Sequence, residues 1–315
     1  MRALCFEEYG PPSVLKVVER EAPLPGPGEV LVQVMASAIN PSDVKNVSGA
    51  FKSPLPRIPG RDYAGVVVKG DSLVGLQVWG SGAGFGVLRD GSHTEYMVVP
   101  TDSLSEKPRN LSMAQAASVG IPYVTAWSTL IKAAELRAGE VVFVVGVSGS
   151  VGQAATQIAH LHNARVIGAA RQDAHRSGAD LLINPATGSL PDAVRAATAG
   201  RGVDVVLDTV GGAMFEPAVK SLALGGRHIA ITSAGERRVS LDLVDFYHNQ
   251  SRLLGVDTMK LSGSEIAGIL GSLRLAFEDG RLVPPEIATS SLDGAVKAYE
   301  ETMKGSPKKQ ILVFG

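Results

Sequence analysis

Residues 141–152 read V-V-F-V-V-G-V-S-G-S-V-G, an apolar run that breaks into glycines. Residues 141–145 are too few and too rich in β-branched side chains for a helix, so they predict a strand buried on both faces. From Val151 onward apolar residues recur on one helical face, which predicts a helix after the turn. The unpaired amides of its first turn would face Ser148 and Gly149, where the helix dipole also favours an anion. The segment therefore predicts a strand–turn–helix site for a diphosphate.

The sequence around this turn decides how much the glycines mean, because their spacing departs from G-x-G-x-x-G. Val147 stands where the first glycine would be. Taken alone, the turn also suits some other kind of α/β protein. Further strands are predicted at 165–169, 203–207 and 227–232, with helix-like stretches between them. Alternating strands and helices predict a doubly wound parallel sheet, the α/β fold that binds dinucleotides.

The end of the second predicted strand bears on the choice of nicotinamide cofactor. An NAD site needs Asp or Glu there to accept hydrogen bonds from the ribose 2′-hydroxyl, but Ala170 and Arg171 occupy it. An arginine fork holds a 2′-phosphate, so the pair favours NADPH. Asp173 is counter-evidence, and we interpret it as a helix N-cap rather than a ribose ligand. An ordinary solvated arginine is the alternative for Arg171.

Composition indicates a two-domain protein that acts on small molecules. The chain has 315 residues, a length typical of about two domains. Its 30 basic and 31 acidic residues give a net charge of −1, which predicts neither a nucleic-acid nor a membrane partner. Cys5 is the only cysteine, which excludes an internal disulfide and a cysteine-rich zinc site. The first residues contain no apolar run for a signal peptide or membrane span, so we expect a cytoplasmic location.

The remaining segments predict a separate β-rich lobe. Before residue 120, short β-rich pieces at 30–34, 64–68 and 96–99 are punctuated by Pro and Gly. After residue 259, helices are predicted at 263–279 and near 292–304, followed by a strand at 310–314. We expect this tail to rejoin the first lobe.

Five motifs follow one another in a characteristic order. They are I-N-P-S-D at 39–43, I-P-G-R-D-Y-A-G-V-V at 58–67, V-G-I-P-Y-V-T-A-W at 119–127, G-V-S-G-S-V-G at 146–152 and G-V-D-V-V-L-D-T-V-G-G at 202–212. With them the chain resembles the medium-chain dehydrogenase/reductase superfamily, and within it the zinc-independent quinone oxidoreductase branch that includes ζ-crystallin. The resemblance covers nearly the whole chain.

This resemblance implies an α/β architecture of two domains. A GroES-like β-rich catalytic domain is expected at 1–122 and 259–315, and a Rossmann doubly wound domain that binds NADP at 123–258. The family places its active site in the cleft between them and commonly forms a homodimer.

The same resemblance predicts that no zinc is bound. Zinc-dependent members supply a cysteine, a histidine and a glutamate at the positions held here by Asn40, Arg61 and Asp62. None of these is a thiolate or an imidazole, and a cationic Arg61 would repel the ion. Without a metal to polarise a carbonyl, the substrate must already be electrophilic. We expect a quinone or an α,β-unsaturated ketone or aldehyde that accepts a hydride from NADPH.

Three residues are candidates for the catalytic groups. Asn40 is the first, because its amide reaches a carbonyl oxygen without burying a charge, although a turn-forming asparagine before Pro41 is equally open. Lys45 would stabilise an oxyanion or deliver a proton, but a solvated lysine is the preferred interpretation. Tyr123 either donates its phenol or simply packs. Phe51 stands where some enone reductases carry a tyrosine, so solvent is the expected proton source.

Cofactor contacts are carried over by position. Lys308 and Lys309 precede the last strand, where the family often places a basic residue close to the cofactor, but we prefer a solvated cationic turn. The segment after Arg171 is shorter than is usual in the family, and Pro185 stands where a tyrosine is common. Arg171 and Arg176 must therefore hold the 2′-phosphate. The expected contacts are Thr125, Ser148, Gly149, Ser150, Val151, Gly152, Arg171, Arg176, Asp208, Val210, Thr232 and Ser233.

Two other functions remain open. Some members of this branch bind NADPH with little turnover and act as structural, sensor or RNA-binding proteins. A zinc alcohol dehydrogenase is the third interpretation, and it predicts a bound metal and loss of activity on chelation.

Overall fold

A computed structural model describes residues 1–170 and 177–315. The chain forms two compact units, of which the first joins Met1–Val124 to Met259–Gly315 and the second is Thr125–Thr258. Among the described residues, no helix has both the length and the apolar character that crossing a membrane requires.

The second unit is built on six parallel strands in the order β10-β9-β8-β11-β12-β13. Counted from β8 this is the order 3-2-1-4-5-6, which is typical of dinucleotide-binding sheets. The order reverses at β8, where β9 pairs with one edge and β11 with the other. The strands are β8 Val141–Val145, β9 Arg165–Ala169, β10 Leu181–Ile183, β11 Val203–Asp208, β12 Leu222–Ala230 and β13 Arg252–Gly255.

Helices connect these strands and cover the sheet. All five residues of β8 are buried, as the apolar run predicts for a central strand with helices on both faces. The helices of the unit are α3 Ser150–Leu161, α4 Leu190–Ala197, α5 Phe215–Lys220 and α6 Leu243–His248, with a π-helical stretch at Ser128–Ala133.

The first unit contains a seven-stranded sheet in the order β14-β15-β3-β4-β5-β7, with β6 paired to β3, and a separate two-stranded sheet of β1 and β2. The strands are β1 Arg2–Cys5, β2 Lys16–Glu19, β3 Glu29–Ala38, β4 Asp62–Lys69, β5 Gln77–Gly80, β6 Tyr96–Pro100, β7 Ser105–Glu106, β14 Ile287–Ser290 and β15 Lys309–Val313. The helices are α1 Pro41–Val47, α2 Met113–Trp127, whose last three residues belong to the second unit, α7 Gly263–Glu278 and α8 Ala295–Met303.

The tail of the chain completes the first unit, as the sequence predicts. β15 pairs with β3 in antiparallel orientation, so residues more than 270 positions apart become neighbours in one sheet. α8 packs Tyr299 and Ala298 into the same core as Leu4 and Phe6 of the first strand region. β15 and α8 therefore share a sheet and a hydrophobic core with the first strands of the chain.

Candidate functional site

A cavity of about 540 Å³ opens at the carboxyl ends of β8, β9 and β11. In parallel sheets this edge, at the point where the strand order reverses, is where ligands bind. The cavity is lined by Val145, Gly146, Ser148, Gly149, Ala169, Ala170, Pro185, Thr209, Val210 and Met214.

Two glycines shape the turn that opens this cavity. Gly146 has a φ of +83°, a left-handed conformation that favours glycine. At Gly152 a Cβ would lie 2.5 Å from the Gly146 carbonyl oxygen, so only glycine lets α3 start this close to the strand end. The two glycines therefore let the backbone at the start of α3 lie close to the backbone at the end of β8.

Val147, which breaks the expected glycine spacing, packs into the space beside Gly168 on the next strand, β9. Its side chain is fully buried, and a Cβ on Gly168 of β9 would lie 2.6 Å from Val147 Cγ1. The valine therefore fills the space that a missing side chain at Gly168 leaves. Val147, which departs from the motif, therefore packs against β9 and does not obstruct the cavity.

Within the described residues, no side chain caps the amino terminus of α3. Its N-cap is Gly149, which has no side chain to occupy the first-turn amides. Ser148, Gly149 and Ser150 are exposed, whereas Gly152 is buried. Of the predicted group Ser148 to Gly152, Ser148 and Gly149 line the cavity, and the other three residues begin α3 next to them.

The turn after β11 is held by a buried carboxylate. Asp208 Oδ1 accepts hydrogen bonds from the amides of Val210 at 2.9 Å and Gly211 at 2.8 Å. The Val210 carbonyl accepts a bond from the Ala234 amide at 2.7 Å, so the loops after β11 and β12 are joined. Asp208 is buried and shapes this turn, while Val210 lines the cavity.

The residues predicted after β12 belong to this joined pair of loops. A Cβ on Gly211 would lie 2.6 Å from the Thr232 carbonyl oxygen, and Ser233 Oγ donates to the Glu236 carbonyl at 2.6 Å. Thr125 is buried, and its carbonyl accepts a bond from Thr129 Oγ1. The predicted contacts Arg171 and Arg176 lie outside the described residues.

His228, which sequence reasoning left as a scattered histidine, lies next to Asp208. Its Nε2 is 3.5 Å from Asp208 Oδ2, and neither ring nitrogen has a hydrogen-bond partner among the residues that the structure describes. The ring packs against Phe215 at 4.9 Å between centroids. Burial lowers the pKa of His228 to about 4 and raises the pKa of Asp208. The imidazole is therefore neutral at physiological pH.

A second group of polar residues is buried in the first unit around Asn40. Asn40 precedes α1, and Pro41 at the first helical position favours that start. The Asn40 amide nitrogen Nδ2 donates to Asp62 Oδ2 at 2.8 Å, and its Oδ1 accepts a bond from Lys309 Nζ. The backbone N–H of Asn40 donates to Asp43 Oδ2 at 2.8 Å. Asn40 is thus tied to three ionisable side chains.

Asp62 ties this group to α2. Its Oδ1 accepts hydrogen bonds from Ser81 Oγ at 2.6 Å and from the Ile121 amide at 2.9 Å. Burial raises the pKa of Asp62, and the positive charge of Lys309 acts in the opposite direction. Burial likewise raises the pKa of Asp43, opposed by Arg61.

Lys309 overturns one sequence interpretation. The expectation of a solvated cationic turn holds for the exposed Lys308 but is wrong for Lys309, because Lys309 is buried. Burial lowers the pKa of Lys309, while the carboxylates of Asp62 and Asp43 raise it. Two adjacent lysines carry no sequence signal for this difference, which arises because β15 begins at Lys309.

The other two catalytic candidates occupy different surroundings. Lys45 is exposed on α1, as the preferred interpretation of a solvated lysine expects. Tyr123 is buried, donates its hydroxyl to the Val283 carbonyl at 2.7 Å and packs against Phe277 at 5.1 Å between ring centroids. Among the described residues, Asn40 is hydrogen-bonded to Asp43, Asp62 and Lys309 instead.

The residues at the family's zinc positions do not suit zinc. The Asn40 amide is already bonded on both sides, and the Arg61 guanidinium and the Lys309 ammonium bring two positive charges to this group. Zinc prefers thiolates, imidazoles and carboxylates in a tetrahedral set. Within residues 1–170 and 177–315, no three His, Cys, Asp or Glu side chains gather as a metal site would require.

Comparison with known proteins identifies the family. Residues 26–109 match the alcohol dehydrogenase GroES-like domain, and residues 150–270 match the family described as zinc-binding dehydrogenase. The chain is 34% identical to the zinc-type alcohol dehydrogenase-like protein C337.11 of Schizosaccharomyces pombe, over all of this chain and 97% of that protein. The chain belongs to the medium-chain dehydrogenase/reductase superfamily.

Other members of the superfamily support the same assignment. The quinone oxidoreductase of Mus musculus is 30% identical over all of this chain and 98% of that protein. The crystal structure of an NAD-dependent alcohol dehydrogenase, 30% identical, superposes over the full length of both chains with a TM-score of 0.89. The predicted superfamily and α/β fold, a GroES-like domain with a Rossmann sheet, are confirmed. The protein is an oxidoreductase of the medium-chain type.

Proposed function

We propose that the protein transfers a hydride from NADPH to a quinone or an α,β-unsaturated ketone or aldehyde, without a metal ion. The observation that carries the proposal is the buried group at the family's zinc positions. There Asn40 donates to Asp62 and accepts a hydrogen bond from Lys309, and the described residues offer no ligand set for zinc. A substrate that is activated by its own conjugation needs hydrogen-bond donors rather than a Lewis acid.

The cavity in the second unit fits a dinucleotide. The exposed amino terminus of α3 binds the diphosphate, and Gly146 and Gly152 allow it to approach the backbone. Arg171 binds the 2′-phosphate, helped by Arg176 five positions later in the sequence. Bound NADPH supplies the hydride from its dihydronicotinamide ring. The second unit thus acts as the NADP-binding domain and the first as the catalytic domain.

Asn40 acts on the substrate oxygen that gains negative charge during reduction. Its Nδ2 carries two hydrogens: one is bonded to Asp62, and the substrate oxygen competes with Asp43 for the second. A fixed donor that meets the charge only as it develops lowers the barrier more than it tightens substrate binding. The name of the mouse relative, a quinone oxidoreductase, supports the same class of substrate.

Turnover measurements test the proposal. Protein treated with a chelator is mixed with NADPH or NADH and an ortho-quinone or a simple enone, and cofactor oxidation is followed by its absorbance. We expect rapid NADPH oxidation that chelation does not change. Loss of activity on chelation, restored by zinc, would favour a zinc alcohol dehydrogenase. Tight NADPH binding with no oxidation by either substrate would favour the structural, sensor or RNA-binding alternative.

Assembly and location remain predictions. We expect a homodimer, which light scattering of the purified protein measures, and a cytoplasmic location, which fractionation of the source cells measures.

A further inference from the structure

Lys309 is a buried cation that forms no close ion pair in the described parts of the chain. Its residue is 7% exposed, and its ammonium has three N–H donors. Within the described parts of the chain, the only hydrogen-bond partner of Nζ is Asn40 Oδ1, a neutral acceptor. Two ammonium protons therefore have no acceptor in that part of the protein.

The neighbouring carboxylates do not form a close pair with Lys309. Among residues 1–170 and 177–315, no carboxylate oxygen lies within 4 Å of Nζ, although Asp62 and Asp43 act on it through space. The oxygens of Asp62 accept bonds from Asn40, Ser81 and the Ile121 amide instead. An ammonium buried with one neutral partner is costly unless another oxygen ligand completes its hydrogen bonds.

Asn40 fixes the position of this ammonium. Its Oδ1 binds Lys309 and its Nδ2 donates to Asp62, so both ends of the amide are fixed. The Asn40 side chain also interacts with the Asp43 carboxylate. The two open N–H groups are therefore those of Lys309. Preorganised donors that carry a positive charge suit a developing oxyanion.

We propose that Lys309 is a catalytic residue, which together with Asn40 donates hydrogen bonds to the substrate oxygen as it becomes an enolate or hydroquinone anion. The inference rests on the proposed reduction of a quinone or enone. It assigns to the Lys309 ammonium the positive charge that a zinc ion would otherwise supply. Lys309 needs only to hold its protons at Nζ, because solvent supplies the proton that the oxygen finally gains.

A ligand that carries the same negative oxygen tests this role without hydride transfer. 4-Nitrophenol is titrated into the full-length protein with saturating NADP⁺ over a range of pH, and the bound phenolate is read from its visible absorbance. We expect binding to favour the phenolate, so that bound nitrophenol ionises at lower pH than free nitrophenol. Absence of phenolate binding, or equal binding of phenol and phenolate, overturns the proposal.

Two lysine variants separate the charge at Nζ from general effects. Lys309→Met is expected to lose the phenolate preference and to lower kcat about 100-fold, with unchanged affinity for NADPH. Lys308→Met, at the exposed neighbouring position, is the matched control and should change none of these. A fall in NADPH affinity that accounts for the loss of turnover in Lys309→Met would assign Lys309 to the cofactor and overturn the proposal. Lys309→Gln serves where the methionine variant does not fold, and the wild-type titration decides without either variant.

The outcomes distinguish this inference from the proposed function. If NADPH is never oxidised but phenolate binding depends on Lys309, the oxyanion site stands and the reductase assignment falls. If quinones are reduced and Lys309→Met behaves like Lys308→Met, the reductase assignment stands and the role of Lys309 falls.

Discussion

Gly149 and Gly152 lie three residues apart in one turn but meet different surroundings. A Cβ at Gly152 would lie 2.5 Å from a backbone oxygen, whereas one at Gly149 would lie 3.4 Å from it. We expect Gly152→Ala to lower the free energy of unfolding by about 3 kcal/mol, because backbone must move. Gly149→Ala should change it by less than about 0.5 kcal/mol but weaken NADPH binding, since its methyl group would face the diphosphate.

Urea unfolding and NADPH titration of both glycine variants measure these effects. A stable Gly152→Ala protein with full NADPH affinity would contradict the close approach, and unchanged NADPH affinity in Gly149→Ala would remove the diphosphate from this turn.

The hydroxyl of Tyr123 is already used within the first unit. Because it donates to the Val283 carbonyl, we expect Tyr123→Phe to lower the free energy of unfolding by about 1 kcal/mol and leave kcat unchanged. Steady-state kinetics with a quinone check this. A fall in kcat with an altered pH profile would instead restore Tyr123 as a proton donor, the other role that its sequence position suggested.

At the scale of residues, local pattern predicted the backbone site but not the buried polar groups. Ser148 to Gly152 follow from a strand, a glycine turn and a helix, all within twelve residues. Lys309 and His228 could not be found this way, because their neighbours are remote in sequence: Asn40 precedes α1, and Asp208 lies on the adjacent strand β11. The contact between Val147, in the turn after β8, and Gly168 of β9 likewise joins two segments and leaves no mark in either alone.

At the scale of elements, one ion pair spans β11 to join β12 to the start of β8. Arg227 binds Glu140 through two hydrogen bonds of 2.7 Å and donates Nε to the Ala134 carbonyl at 3.0 Å. We expect Arg227→Met to lower the free energy of unfolding by about 3 kcal/mol at neutral pH, because it leaves a largely buried carboxylate unpaired. Arg201→Met, which breaks a more exposed pair with Asp204, is the control and should cost under about 1 kcal/mol.

Acid should reduce the difference between wild type and Arg227→Met. Burial raises the pKa of Glu140, but the hydrogen bonds and charge of Arg227, together with a hydrogen bond from the Arg137 amide, outweigh this and hold the pKa below its ordinary 4.5. The contribution of the pair is therefore complete above pH 4.5 and is lost as the pH falls through the lower folded-state value. Urea unfolding from neutral to acid pH measures it, and a difference that stays constant would contradict the assignment.

The buried imidazole on β12 makes the second unit sensitive to acid. The pKa of His228 falls from 6.5 to about 4 on burial, so below pH 6.5 the unfolded chain binds a proton that the folded chain does not. Between pH 7 and pH 5 this should lower the free energy of unfolding by about 2 kcal/mol. His228→Leu should lack that decrease when unfolding is followed at both pH values. An identical decrease in both proteins would mean that His228 is protonated in the folded state.

The observed bounds of strands and helices agree with the predicted ones where hydrophobic periodicity alone determines them. β8 and β9 have the predicted bounds, and α7 ends one residue before the predicted end. β12 begins at Leu222, five residues before its predicted start, because the glycines at 225 and 226 lie within the strand rather than before it. The π-helical stretch Ser128–Ala133 was not predicted, since its wider turn has no separate sequence period.

At the scale of the whole molecule, the choice between NADPH and NADH is the prediction that a known relative calls into question. One structural relative is NAD-dependent, whereas Arg171 favours NADPH. We expect NADPH at about 100 times its Kd to raise the free energy of unfolding by about 2.7 kcal/mol, and NADH at the same concentration to raise it less. Arg171→Ala with Arg176→Ala should make the two cofactors equal in a thermal unfolding assay. A larger shift with NADH in the wild type would reverse the assignment.

The pairing of β15 with β3 has a consequence for how the protein is made. A ribosome releases β3 long before it synthesises Lys309–Val313, so the first unit waits as an incomplete sheet with one edge of β3 open. The second unit, encoded without interruption from Thr125 to Thr258, is complete earlier. Of the two units, the one whose β3 is made first is therefore the last to be completed, and slow translation of Lys309–Val313 should prolong its dependence on chaperones.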